Sequence, residues 1–88
     1  MDSNPHPRLP RGVRLRHDTI RRRWVLLAPE RIFEVDDIGV EILKRCDGRS
    51  LTDMLHDLAT AFSVKPGDIR NDVESFLNDF AQKRVVEL

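Results

Sequence analysis

The chain has 88 residues, of which 40% are hydrophobic and 34% charged, and its formal net charge is zero. A chain of that length supports one domain burying roughly 60 to 65% of its unfolded surface, which leaves no room for an elaborate catalytic cavity. No apolar run approaches the ~20 residues of a membrane span, the N-terminus has no signal-peptide segment, and the lone Cys46 excludes an internal disulfide or a cysteine-rich metal site, so a cytoplasmic protein is expected.

Residues 1–9 hold two prolines and little to bury, and are expected to form a flexible tail ahead of a single domain over residues 10–88. Val13, Leu15 and His17 alternate with Arg14 and Arg16, the period-2 pattern of a strand with one wet face. After a turn at Asp18-Thr19 comes the central stretch from Trp24 to Asp37, two apolar runs either side of Pro29-Glu30, which reads as a β-hairpin. Trp24 and Leu26 point to one face of that strand and Val25 and Leu27 to the other, so both faces need covering. The helices cover one face; Val25 and Leu27 are expected to form a surface where two copies associate.

Asp36 is placed to cap a first helix, with Val35 stapled onto Val40 and with Ile38, Ile42, Leu43 and Cys46 as its apolar stripe. Gly39 costs up to ~1 kcal/mol there against Ala, which implies close backbone packing, and Gly48 is placed to end the helix. Ser50 with Asp53 resembles a capping box for a second helix carrying Leu51, Met54, Leu55, Leu58 and Phe62. Pro66 suits the first turn of a third, in which Ile69, Val73, Phe76, Leu77 and Phe80 share a face before Lys83 and Arg84. Val85, Val86 and Leu88 are expected to pack back as a short extended tail. Three strands followed by three amphipathic helices give an α+β domain of winged helix-turn-helix type, with a three-stranded antiparallel sheet.

Nothing in the chain points to an enzyme. His6, His17 and His56 lie in different elements without metal-ligand spacing, no Gly-rich phosphate loop is present, and Cys46 sits on an apolar helix side as a small hydrophobe. No cofactor or metal is expected. Charge is uneven: residues 1–31 carry eight arginines against three acids, a balance of +5, and the remainder is −5. A winged helix with basic strands raises DNA binding as an alternative, but the exposed side of either reading helix carries Asp53, Asp57, Asp72, Glu74 and Asp79, which repel phosphates. Nucleic acid is therefore not an expected partner, and neither is a membrane.

The order of Trp24-Val25-Leu26-Leu27-Ala28-Pro29-Glu30, Ile42-Leu43, Cys46-Asp47-Gly48, Ile69, Asp72-Val73 and Phe76-Leu77 resembles the PqqD family of pyrroloquinoline quinone biosynthesis, over roughly Pro10 to Leu88. The resemblance implies a non-catalytic peptide chaperone of the RiPP recognition element type, which holds a PqqA-like precursor peptide for a PqqE-like radical S-adenosylmethionine enzyme. It also implies that the leader adds as a strand beside the third strand and against the third helix. Carried to this chain, the peptide-binding residues are Arg31, Ile32, Phe33, Glu34 and Val35 with Arg70, Val73 and Leu77. A free strand edge independently supports this, because an added peptide satisfies both backbones while neighbouring pockets read alternate side chains. A recognition domain of another peptide-modification pathway is the nearest alternative, and a homodimer is a further expectation.

Overall fold

A computed structural model describes residues 4–88. Three antiparallel strands, β1 (Arg14–Asp18), β2 (Arg23–Ala28) and β3 (Arg31–Val35), form a sheet of order β1-β2-β3. Three helices follow, α1 (Asp37–Lys44), α2 (Leu51–Phe62) and α3 (Pro66–Gln82).

Local chemistry explains the boundaries. The carboxylate of Asp18 accepts from the amides of Ile20 and Arg21, and Arg22 takes a positive φ, closing the first hairpin. The second hairpin turns on Pro29-Glu30 alone: proline fixes the first central φ, and Glu30 takes the left-handed φ of +60° that a type II turn requires. Asp36 caps α1 by accepting from the Gly39 amide at 2.7 Å, and Ser50 caps α2 by accepting from the Asp53 amide at 3.1 Å. Pro66 opens α3, where the Asp68 carboxylate accepts from the amide of Lys65.

Register decides which side chains meet. Leu15, Leu26 and Phe33 lie abreast on the face turned toward the helices, and Leu26 is completely buried against Ile42, Met54, Leu58, Leu77 and Val85. On the outer face Arg14, Leu27 and Ile32 form one row and Arg16, Val25 and Glu34 the next.

Several expectations need correction. Val25 is only 7% exposed, because it lies between the long side chains of Arg16 and Glu34 on the neighbouring strands; the open apolar residues of this face are Ile32 and the hairpin-tip Ile20. Ile38, expected in the apolar stripe of α1, is 60% exposed, and Phe62 at the end of α2 is also exposed. Helix α1 stops at Lys44 with Arg45 as its cap, so the left-handed Gly48 turns the loop beyond it instead of ending the helix. Val85 and Val86 are buried as expected, whereas Leu88 is exposed.

The N-terminal segment differs most. Residues 1–3 of the expected tail lie outside the described residues, but Pro5 and Pro7 are buried. The carbonyls of Pro5 and Pro7 accept from the amides of Leu51 and Gly48, and Arg8 exchanges two backbone hydrogen bonds with Glu87, at 2.9 and 2.8 Å. Residues 5–8 are thus a stitch joining the α1–α2 loop to the C-terminus. Extended prolines keep their carbonyls available, and that backbone chemistry carries the packing.

Candidate functional site

β3 pairs with β2 on one side only, so its other edge is unpaired among the described residues. In a two-residue hairpin the closing pair, here Ala28 and Arg31, is the hydrogen-bonded kind, and the pattern alternates along the ladder. Arg31, Phe33 and Val35 therefore turn their amides and carbonyls toward β2, while those of Ile32 and Glu34 face the open edge.

Beside this edge lies an aromatic wall built by β3 and α3. The rings of Phe33 and Phe80 lie 6.1 Å apart, and Phe80 stacks on Phe76 at 4.3 Å. Lys83 reaches over this wall, with Nζ 5.2 Å from the Phe80 centroid and 5.9 Å from that of Phe33, and the Arg31 guanidinium lies 5.4 Å from the Phe33 ring. Arg31 Nη1 also donates to the Lys83 carbonyl at 2.8 Å, tying the start of β3 to the end of α3. This wall is apolar, and two cations stand at its Arg31 end, of which Lys83 is paired with Asp79 at 2.8 Å.

The candidate residues separate into three groups. Arg31, Phe33 and Val35 line the edge toward α3; Ile32 and Glu34 supply its free backbone groups while their side chains stand on the outer face, where Glu34 pairs with Arg23. Val73 and Leu77 are 3% and 1% exposed and belong to the core, and Val73 also lines a cavity among α1, α2 and α3. Arg70 is exposed and engaged with Glu74 at 2.9 Å. On the helix side Phe76 is half-buried and Lys83 exposed, whereas Phe80 is buried with Val73 and Leu77, as its place in the apolar face of α3 predicts.

Titratable groups do not assemble a reaction centre here. Burial, together with the neighbouring Asp47, pushes the Cys46 thiol up to about 12, and its Sγ donates to the Ile42 carbonyl. The hydrogen bonds from the Arg49 side chain hold Asp47 at about 2, while Arg45 lowers both Glu41 and Asp57; this ion-pair group joins α1 to α2 away from the groove. Among the described residues no group of His, Cys, Asp or Glu is arranged to hold a metal ion, and no helix is long and apolar enough to cross a membrane.

Known proteins are similar in sequence and in fold. The chain is 49% identical over 78 residues to the "PqqA binding protein" of Rhodopseudomonas palustris (strain BisB5), covering 88% of this chain and 76% of that one. It superposes with a TM-score of 0.80 on the solution structure of the PqqD part of Methylobacterium extorquens PqqCD, described as a functional, stand-alone RiPP recognition element; identity is 45%, with 94% of this chain and 89% of that chain covered. The crystal structure of PqqD from Xanthomonas campestris gives a TM-score of 0.62 at 43% identity, over 91% and 90% of the two chains. Residues 23–86, from the start of β2 to the buried C-terminal valines, match the family model of coenzyme PQQ synthesis protein D, and the chain belongs to that PqqD family.

Proposed function

We propose that this chain is a non-catalytic peptide chaperone of coenzyme PQQ synthesis, which binds the leader of a PqqA-type precursor as an added strand on β3 and presents it to a radical S-adenosylmethionine enzyme. The observation that carries the reading is the unpaired edge of β3 beside the Phe33–Phe76–Phe80 wall. The site consists of Arg31, Ile32, Phe33, Glu34 and Val35 with Phe76 and Lys83, over the buried ring of Phe80. Each backbone hydrogen bond contributes only ~1 kcal/mol net, so micromolar binding, about 8 kcal/mol, needs apolar side chains of the peptide against that wall as well. The relatives' naming as PqqA binding protein supports the peptide's identity.

A second copy competes for the same edge, since two β3 strands can pair with each other. Precursor peptide is then expected to shift a homodimer toward monomer in sedimentation. The DNA-binding alternative is disfavoured by the exposed Asp53, Asp57, Asp72 and Asp79 on α2 and α3, and it predicts a duplex affinity that collapses with salt.

The test is an NMR titration of isotope-labelled protein with synthetic PqqA peptide from R. palustris. Saturable shifts of the Ile32 and Glu34 amides, with slowed hydrogen exchange at both, are expected. Binding that leaves both amides unmoved would sink strand addition.

A further inference from the structure

The start of β3 is held by the turn that ends α3, because Arg31 Nη1 donates to the carbonyl of Lys83. That turn is strained. Arg84 takes a left-handed φ of +63°, which a residue other than glycine keeps only where its surroundings hold it. On one side the hold comes from α3, where the amides of Lys83 and Arg84 donate to the carbonyls of Asp79 and Ala81. On the other side Val85 and Val86 are buried, and Glu87 follows.

Glu87 is where the N-terminal stitch arrives. Arg8 and Glu87 exchange both backbone hydrogen bonds, and Arg8 Nε lies 2.8 Å from Glu87 Oε2. The stitch is pinned independently of the tail, since the Pro5 and Pro7 carbonyls accept from the amides of Leu51 and Gly48 and the Leu9 amide donates to Cys46. An unbroken run of contacts therefore leads from the α1–α2 loop through Arg8, Glu87 and the Arg84 turn to Arg31. Both partners of the middle link, Arg8 and Glu87, lie outside residues 23–86 that match the family model.

We infer that the N-terminal stitch is a positioning element for the peptide edge: through Glu87 it holds the Arg84 turn, and through the Lys83 carbonyl it holds Arg31 beside the line an added strand has to follow. The inference rests on the strand-addition reading and adds to it a remote segment that prepares the site. An arginine already fixed costs little to order when the peptide arrives, whereas one released from Lys83 has to be immobilised at each binding event. Lys83 Nζ keeps its own pair with Asp79 inside α3, so Arg31 is the residue that carries the effect. Coupling of this kind is reciprocal, so the peptide tightens the stitch as the stitch tightens the peptide.

The experiment uses the full chain, isotope-labelled, with synthetic R. palustris PqqA peptide. Arg8→Pro removes the amide that bonds Glu87, together with the ion pair, and leaves the Pro5 and Pro7 carbonyls in place. It is expected to weaken peptide binding roughly 5-fold in calorimetric titration and to move the Arg31 Nε–Hε signal of the free protein. Arg8→Lys keeps the amide and a cation, and is expected to restore both. In an Arg31→Ala background Arg8→Pro is expected to cost no further affinity, since the residue it acts through is gone. In the parent chain, peptide is expected to slow hydrogen exchange at the Arg8 and Glu87 amides several-fold. A folded Arg8→Pro chain with parental affinity, or an equal loss in both backgrounds, overturns the inference and leaves strand addition standing. Should Arg8→Pro unfold, the exchange measurement decides, and Arg8 and Glu87 amides that bound peptide does not slow overturn the inference. Peptide that moves neither the Ile32 nor the Glu34 amide overturns strand addition and the role of the stitch with it.

Discussion

A Cβ built on Gly39 would stand 2.9 Å from Cε2 of Phe76 and 2.5 Å from Cγ1 of Val35, so the start of α1 touches both walls of the groove through a residue with no side chain. Neither neighbour can yield cheaply, because Val35 is registered against Trp24 in the sheet and Phe76 is stacked on Phe80. Gly39→Ala gains up to ~1 kcal/mol of helix propensity but overpacks the contact at a cost of roughly 1–3 kcal/mol. A net loss of about 1 kcal/mol is expected in urea unfolding, together with weaker peptide binding as Phe76 is displaced. A more stable variant with unchanged affinity would show that the contact relaxes freely.

The ladder alternation makes a second prediction specific. Ile32→Pro and Glu34→Pro each remove an outward amide that β2 does not use, so each is expected to reduce peptide affinity at least 10-fold while the sheet persists. Phe33→Pro and Val35→Pro remove amides bonded to β2 and are expected to unfold the hairpin instead. Circular dichroism and calorimetric titration on all four variants separate the two effects.

Much of this was legible in the sequence because the signals are local. Asp36, Ser50 and Pro29 each act within four residues of themselves, so caps and turn can be read without knowing the fold. The free edge of β3 followed from the order of the strands. Which stripe of α3 faces that edge did not follow, because Phe76 differs from the buried Val73, Leu77 and Phe80 only by a rotation that tertiary packing decides. Val25 looked exposed since the cover supplied by Arg16 and Glu34 comes from long polar side chains, which hydrophobic patterning counts as solvent-facing. Pro5 was out of reach for another reason: its carbonyl finds the Leu51 amide, 46 residues on, and no property of a proline-rich segment announces that partner.

The N-terminal stitch leads to a third prediction. Removing residues 1–8 deletes the hydrogen bonds of Pro5, Pro7 and Arg8 and uncovers the surface beneath two buried prolines. At ~1 kcal/mol for each of four backbone bonds, the truncated chain is expected to lose about 3–4 kcal/mol, enough to lower Tm by more than 10 °C in a chain of this size. A tail without structural role would leave Tm unchanged.

Acid dependence follows from the carboxylates paired around α1 and α2. Asp47 is held at about 2 by Arg49, against an ordinary 3.8, and the Arg45 side chain lowers Glu41 and Asp57. Depressed folded values mean that the unfolded chain binds protons first, so the stabilisation is fully present above about pH 5, beyond the ordinary 4.5 of Glu41, and is lost as pH falls toward 2. The urea midpoint is expected to fall through that window, and Asp47→Asn is expected to flatten the slope. A midpoint independent of pH between about 5 and 2 would show that these exposed pairs contribute nothing.

The outer face of the sheet separates two residues that the sequence alone places alike. Val25 is enclosed between Arg16 and Glu34, whereas Ile32, one row away beside Leu27, is 65% exposed. Val25→Lys has to draw a charge out of a covered position and forfeits the burial of a valine, so a loss of about 2 kcal/mol and an early melt are expected. Ile32→Lys meets solvent and is expected to stay within about 0.5 kcal/mol of the parent. The pair also locates self-association. If two copies meet through this face, Ile32→Lys lowers the concentration-dependent mass in sedimentation without unfolding the chain; if they meet by pairing their β3 edges, the side-chain change leaves the mass nearly unchanged and Ile32→Pro removes the dimer. Equal stability losses in Val25→Lys and Ile32→Lys would mean that Arg16 and Glu34 do not shelter Val25 in solution.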